Sequence, residues 1–137
     1  MEQTLQSSPL SVAADGPKVL VVDDSSTNRL ILTKMLGALG YRVETAPDGE
    51  HAVLRLTESK FDLVLMDVQM PGIGGIEAAR RIKRLGGEAA GTPIMAVTAD
   101  TSETDRAAYA AAGMAGVAPK PLNPAGLHTE IARLTRR

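Results

Sequence analysis

Five short apolar runs, each followed by an amphipathic stretch of about three turns, divide the chain from Lys18 onward. KVLVV leads into a helical stretch near 27–39, YRVET into one that opens after Asp48-Gly49, and FDLVLM into one near 75–85. PIMAV leads into 102–112, and a weak run, GVA, into 124–136. Strands this short and nearly all apolar have both faces covered, and strand-helix units repeated in series lay such strands parallel. The stripes Leu32/Met35/Leu36/Leu39, Ala78/Ile82/Leu85 and Leu127/Ile131/Leu134 recur at spacings of three and four, which turns one helix face toward the sheet. Gly40 and Gly86 mark helix ends, and Asp48 and Ser102 stand where N-caps belong. The pattern predicts an α/β fold: a five-stranded parallel sheet, in the common order 2-1-3-4-5, inside a three-layer sandwich.

A chain of 137 residues is long enough for one ordinary domain and short for two. Residues 1–17, MEQTLQSSPLSVAADGP, are polar, carry Pro9, Gly16 and Pro17, and hold no sustained period; they read as a disordered tail or linker ahead of a domain over 18–137. That opening also lacks the basic start and apolar core of a signal peptide, and the apolar runs are strand-sized, so a cytoplasmic protein with no membrane segment is expected. A formal charge of -1 gives no field for nucleic acid, and no nucleic-acid partner is expected. With no cysteine, thiolate nucleophiles, thiolate metal sites and disulfides are all excluded. Two tyrosines and one phenylalanine leave little for stacking a flavin or a base.

Ligands of open α/β sheets gather beyond the carboxyl ends of the strands. The first strand exits into Asp23-Asp24, the third into Asp67, the fourth into Thr98-Ala99, and the fifth leads to Lys120-Pro121. Taken singly, each has an ordinary explanation: aspartates cap turns and helices, threonine ends many strands, and lysine is usually solvated. In the order 2-1-3-4-5 they converge, and the coincidence of four strand exits carries the specificity. Three carboxylates packed together need protonation or a cation, and with oxygen donors alone the fitting ion is hard, Mg2+ first. Carboxylates beside Mg2+ and an ammonium invite a phosphoryl group. Asp67 is then the nucleophile; Asp24 and Asp67 hold the metal, Asp23 completes the acidic shell through water, and the turn at Gln69 offers backbone groups as further ligands. Thr98 and Lys120 contact the phosphoryl oxygens.

At these residues the sequence resembles the receiver domain of two-component response regulators. VLVVDDSSTNRL is similar to the family's acidic-pair motif, LVLMDVQMPGIGG to its phosphoacceptor loop, AVTAD to its hydroxyl segment and GVAPKP to its lysine-proline loop, so the likeness spans about 18–136. MDVQMP with the helix EAARRIK resembles receivers attached to hybrid sensor kinases, and single-domain regulators are the other close type. The resemblance implies a flavodoxin-like (βα)5 fold and a cis peptide at Lys120-Pro121. It also implies a phosphoryl donor that is a phosphohistidine on a histidine kinase or a histidine phosphotransfer protein. The domain would be a monomeric regulatory switch, not an enzyme, though it catalyses its own aspartyl phosphorylation and dephosphorylation. No segment after Arg137 is present for an output domain, so signalling by protein contacts is expected, through the surface of the 102–112 helix, the fifth strand and the last helix.

One position departs from the family. Where a switch Tyr or Phe often stands, three residues before Lys120, this chain has Val117. An inward-turning ring there is excluded, and backbone shifts after Thr98 and Lys120 are expected to carry the signal. Tyr109 is the less favoured substitute for the missing ring and reads first as an ordinary half-buried helix residue, His51 reads as a helix-surface residue, and Arg133, Arg136 and Arg137 as cations complementing a helix C-terminus. The alanine-rich helix near 102–112 is expected to bury an alanine face and to be loosely held. Three other functions fit less well. A haloacid-dehalogenase-like phosphatase would resemble D-x-D-x-[TV], whereas this chain reads DDSST and leaves no room for a cap domain. A flavin-binding module would need a phosphate loop and aromatics, and a degenerate receiver would not keep all five positions filled.

Overall fold

A computed structural model describes residues 16–135. The expected tail over 1–15, and Arg136 and Arg137, lie outside the described residues. Strands β1 (Lys18–Val22), β2 (Arg42–Ala46), β3 (Leu63–Asp67), β4 (Ile94–Thr98) and β5 (Gly116–Pro119) form one parallel sheet in the order β2-β1-β3-β4-β5, the order 2-1-3-4-5 expected. The helices are α1 (Ser26–Ala38), α2 (Gly49–Glu58), α3 (Gly74–Arg84), α4 (Gly87–Ala90), α5 (Glu103–Ala111) and α6 (Pro124–Thr135). This is the flavodoxin-like three-layer α/β arrangement.

Alternation along the strands sorts the core into two halves. Leu20, Val22, Val64, Met66, Ile94 and Ala96 face Ala52 and Leu56 of α2, Ala78, Ala79 and Ile82 of α3, and Tyr109 of α5. Val19, Val21, Leu63, Leu65, Met95 and Val97 face Leu32 and Leu36 of α1 and Leu127 and Ile131 of α6. Every residue of β3 and β4 is buried, as a strand covered on both faces requires.

The caps fall where the side chains dictate. Ser25, Asp48 and Ser102 each accept a backbone N–H from the first turn of α1, α2 and α5, and Asn123 does the same for α6. Gly40 and Gly86 take positive φ values of 97° and 73° just past α1 and α3.

Three local expectations need correction. The four-residue α4 was not anticipated, because GEAA is too short to show a period. Leu85, expected on the buried stripe of α3, is 39% exposed, since α3 has already ended at Arg84. On α5 the alanines do not form the buried face: Ala107, Ala108, Ala110 and Ala111 are exposed, and the helix is seated by Tyr109, which is buried and not half-buried.

Candidate functional site at the strand exits

The register of the sheet brings the strand ends to one edge. Val22 pairs with Met66, Asp67 with Val97, and Thr98 with Pro119, so the residues leaving β1, β3, β4 and β5 surround a common space.

Asp23 is 2% exposed and firmly held. Its N–H donates to Ala46 O at 3.2 Å, its Oδ1 accepts the Ser25 N–H at 2.9 Å, and its Oδ2 accepts from Asn28 Nδ2 at 3.4 Å. Arg29 Nη1 donates to the Asp23 carbonyl at 2.8 Å. Asp24 is exposed at the rim. Asp67, 5% exposed, accepts the Gln69 N–H at 3.2 Å on Oδ1, and Lys120 Nζ lies 3.4 Å from that same oxygen. One carboxylate oxygen from each of Asp23, Asp24 and Asp67 lies within 4.8 Å of the others.

Two details aim these groups. Gly75 packs flat on the end of β3: a Cβ there would overlap the Asp67 carbonyl oxygen and stand 2.8 Å from Val68 Cα, while its N–H donates to Val68 O at 3.1 Å. The need at Gly75 is therefore close approach, whereas Gly72 and Gly74 supply the positive φ of the turn, 84° and 74°. The Lys120-Pro121 peptide is cis, as expected, and the Lys120 N–H donates to Thr98 O at 2.9 Å.

Burial pushes the Asp67 carboxyl above the ordinary carboxylate range; the Lys120 ammonium opposes this, the Asp23 charge adds to it, and the Gln69 N–H opposes it again, with a net upward direction. Two buried carboxylates and one at the rim, with a single ammonium beside them, leave the cluster short of positive charge. Its donors are oxygen throughout, with no sulfur or imidazole in the group, which suits a hard divalent cation.

Thr98 is 2% exposed, and its Oγ1 accepts the Asp100 N–H at 2.9 Å. Gln69 Nε2 donates to Asp100 Oδ2 at 2.6 Å, across the mouth of the site. The two Gln69 bonds do not use its carbonyl oxygen, the group the sequence assigned to the metal. All six candidate residues thus lie at one edge of the sheet, where hydrogen bonds link Asp67 to Lys120 and Gln69, and Lys120 to Thr98.

Sequence reasoning passed over Asp100, Asn28 and Arg29, and favoured an ordinary helix role for Tyr109. The Tyr109 hydroxyl donates to Asp100 O at 2.8 Å and reaches Thr98 Oγ1 at 3.4 Å. The available signal was that Tyr109 is the one large apolar-bodied residue in an alanine helix, and such a residue is the one that must be buried.

The response regulator receiver domain profile matches residues 19–132, and the chain belongs to that family. It is 41% identical over 123 residues to the autoinducer 2 sensor kinase/phosphatase LuxQ of Vibrio vulnificus, covering 90% of this chain but 14% of that protein. The transcriptional regulatory protein TcrA of Mycobacterium tuberculosis is 34% identical over 122 residues, 89% of this chain and 47% of TcrA. The chain therefore spans less than half the length of either relative. Among solved structures, the chemotaxis protein CheY4 of Vibrio cholerae superposes with a TM-score of 0.82 at 34% identity, over 87% of this chain and 98% of that one. The receiver domain of sensor histidine kinase PA1611 from Pseudomonas aeruginosa, with a magnesium ion coordinated in its active site cleft, gives 0.81 at 33% identity over 89% and 99%. Receiver domains are phosphoacceptors of two-component systems, so the family is regulatory. Among the described residues no helix is long and apolar enough to cross a membrane.

Proposed function

We propose that this chain is a phosphoacceptor switch in which Asp67 receives a phosphoryl group from phosphohistidine on a histidine kinase or phosphotransfer protein. The observation that carries the reading is Lys120 Nζ at 3.4 Å from Asp67 Oδ1, above a triad of carboxylates. An Asp67 oxygen forms the new O–P bond as the P–N bond to the imidazole breaks, and the bonding pair returns to the imidazole nitrogen. Lys120 and the Thr98 hydroxyl are placed to meet the phosphoryl oxygens.

Asp23, Asp24, Asp67 and the Gln69 carbonyl are the residues to hold Mg2+. The ion would supply charge neutralisation for the phosphoryl oxygens and the carboxylates. Burial of Asp67 excludes water from one side of the carboxylate. The domain carrying this chemistry is assigned to 18–137, as a cytoplasmic monomer. Its downstream partner is a protein that docks on α5, β5 and α6, with neither nucleic acid nor membrane involved.

The test is labelling by a small phosphoramidate in the presence of Mg2+. Wild type is expected to take up base-labile phosphate and Asp67→Asn to take up none. Equal labelling of the two proteins defeats the assignment of Asp67.

A further inference from the structure

We propose that Tyr109 is a positioning residue for the phosphoryl-binding hydroxyl: its own hydroxyl latches the 98–100 segment to α5 in the resting state, and must let go when Thr98 turns to a phosphoryl group. The inference rests on the phosphoacceptor reading given above.

Tyr109 is 3% exposed, the only buried side chain within α5. A tyrosine that deep keeps its hydroxyl only if it is partnered. The partners belong to the site. Its hydroxyl donates to Asp100 O at 2.8 Å and contacts Thr98 Oγ1 at 3.4 Å; the Asp100 N–H donates to Thr98 Oγ1 at 2.9 Å. Gln69 Nε2 fixes the Asp100 carboxylate at 2.6 Å from the opposite loop. Thr98, Asp100 and Tyr109 thus form a closed ring of hydrogen bonds, with Gln69 bracing it from outside.

The ring has a mechanical consequence. The Thr98 oxygen cannot move toward Asp67 without losing the Asp100 N–H or dragging Asp100 along, and Asp100 is held by Tyr109 through its carbonyl. The hydroxyl of Tyr109 therefore stabilises the resting position of Thr98 and opposes the phosphorylated one. It does so with the ring staying in place, which fits the small, stiff Val117 on the neighbouring strand. A ligand that needs the released state binds more weakly by the fraction of time the latch is open.

The test uses the full chain with Mg2+ and beryllofluoride, a mimic of the phosphoryl group. Tyr109→Phe keeps the ring and deletes the latch. It is expected to bind Mg2+ alone as wild type does, and to bind beryllofluoride about threefold to tenfold more tightly, the scale of one net hydrogen bond. In a Thr98→Val background, which has no hydroxyl to release, the same substitution is expected to leave beryllofluoride affinity unchanged. A purely structural tyrosine would lower the melting temperature and leave this affinity pattern untouched.

In wild type, beryllofluoride is expected to shift the Asp100 amide and Tyr109 ring signals. Unchanged or weaker beryllofluoride binding by Tyr109→Phe, or fixed Asp100 and Tyr109 signals in a wild type that does bind, overturns the latch. A wild type that binds Mg2+ but no beryllofluoride overturns the phosphoacceptor reading itself, and the latch with it.

Discussion

The acid side of the site and its hydroxyl side are built differently. Asp23 and Asp67 leave β1 and β3, strands with a hydrogen-bonded neighbour on both sides, and backbone donors fix their carboxylates: Ser25 N–H at 2.9 Å and Gln69 N–H at 3.2 Å. Thr98 leaves β4, whose outer neighbour β5 is a four-residue edge strand with one buried residue, and the helix beyond Thr98 is seated by one buried side chain. Where backbone donors inside the sheet fix the carboxylates, their geometry is set before any ligand arrives. Past Thr98, next to the edge strand, the chain is held by side-chain bonds, and two positions can differ by little free energy. On the proposed phosphoacceptor reading, one molecule thus carries a preorganised half for the chemistry and an adaptable half to report it.

The sharpest way to break this contrast is Lys120→Met, which takes a charge from the pocket but leaves the fold nearly alone. The side chain is 38% exposed, so its ion pair with Asp67 adds little to stability. Its place 3.4 Å from the acceptor oxygen puts it where charge develops. Phosphate uptake by Asp67 is expected to slow by about a hundredfold, the scale of deleting one preorganised donor. A slowing of less than about threefold means the ammonium is a spectator.

Next comes Gly75→Ala on the rigid side. The added carbon overlaps the Asp67 carbonyl, and overpacking of this kind costs about 1–3 kcal/mol. Ala108→Ser, on the exposed face of α5, is expected to stay within about 0.5 kcal/mol. Urea unfolding of the two variants measures both, and equal losses erase the distinction between the halves.

The rigid half was also the more legible half in the sequence. Apolar runs with one face to each core announce β1 and β3 directly, as they do β4, and the residues that end them are the candidate site residues because a parallel sheet sends its exits to one edge. Even the cis Lys120-Pro121 bond followed from the family likeness of GVAPKP. What stayed hidden depended on tertiary placement. Five alanines suggested a buried small-residue face, yet helix α5 is rotated so that Tyr109 goes in and Ala107, Ala108, Ala110 and Ala111 go out, with Ala112 buried at the C-terminal cap, since burying one ring removes more apolar area than burying several methyls. Asp100 looked like any polar loop residue, and its link to Gln69 spans 31 positions that no local pattern connects.

Titration tests the rigid half again, without metal. Burial raises the Asp67 carboxyl in the folded state above its value in the unfolded chain. Between those two values the folded state holds more protons, so stability falls as pH rises through that window: the contribution is complete below the unfolded pKa and gone above the folded one. In EDTA, the stability of Asp67→Asn relative to wild type is therefore expected to increase as pH rises from the acid side of the ordinary carboxylate range toward neutrality. Chemical denaturation at a series of pH values reads the difference. A difference that shrinks with rising pH means that Asp67 is better stabilised as an anion than its burial suggests.

The smallest expected effect is a displacement with almost no change in stability, and it falls on the adaptable half. Beryllofluoride with Mg2+ should shift backbone amide signals from Thr98 through Ala112 and from Val117 through Leu122, beyond the changes at the carboxylates themselves. Signals of α2 should stay nearly fixed, because that helix is locked: a Cβ on Gly49 would stand 2.9 Å from the Ala78 side chain of α3, and Ala52 and Leu56 lie in the core. Helix α5 has no comparable anchor once the Tyr109 hydroxyl is released, and β5 has a neighbour on one side alone. The two mobile stretches are joined at the site by the Lys120 N–H bond to Thr98 O, so a shift at Thr98 reaches β5 through the backbone and needs no ring at Val117. Changes concentrated in α1 and α2 would move the adaptable half to the other side of the sheet and reverse the contrast.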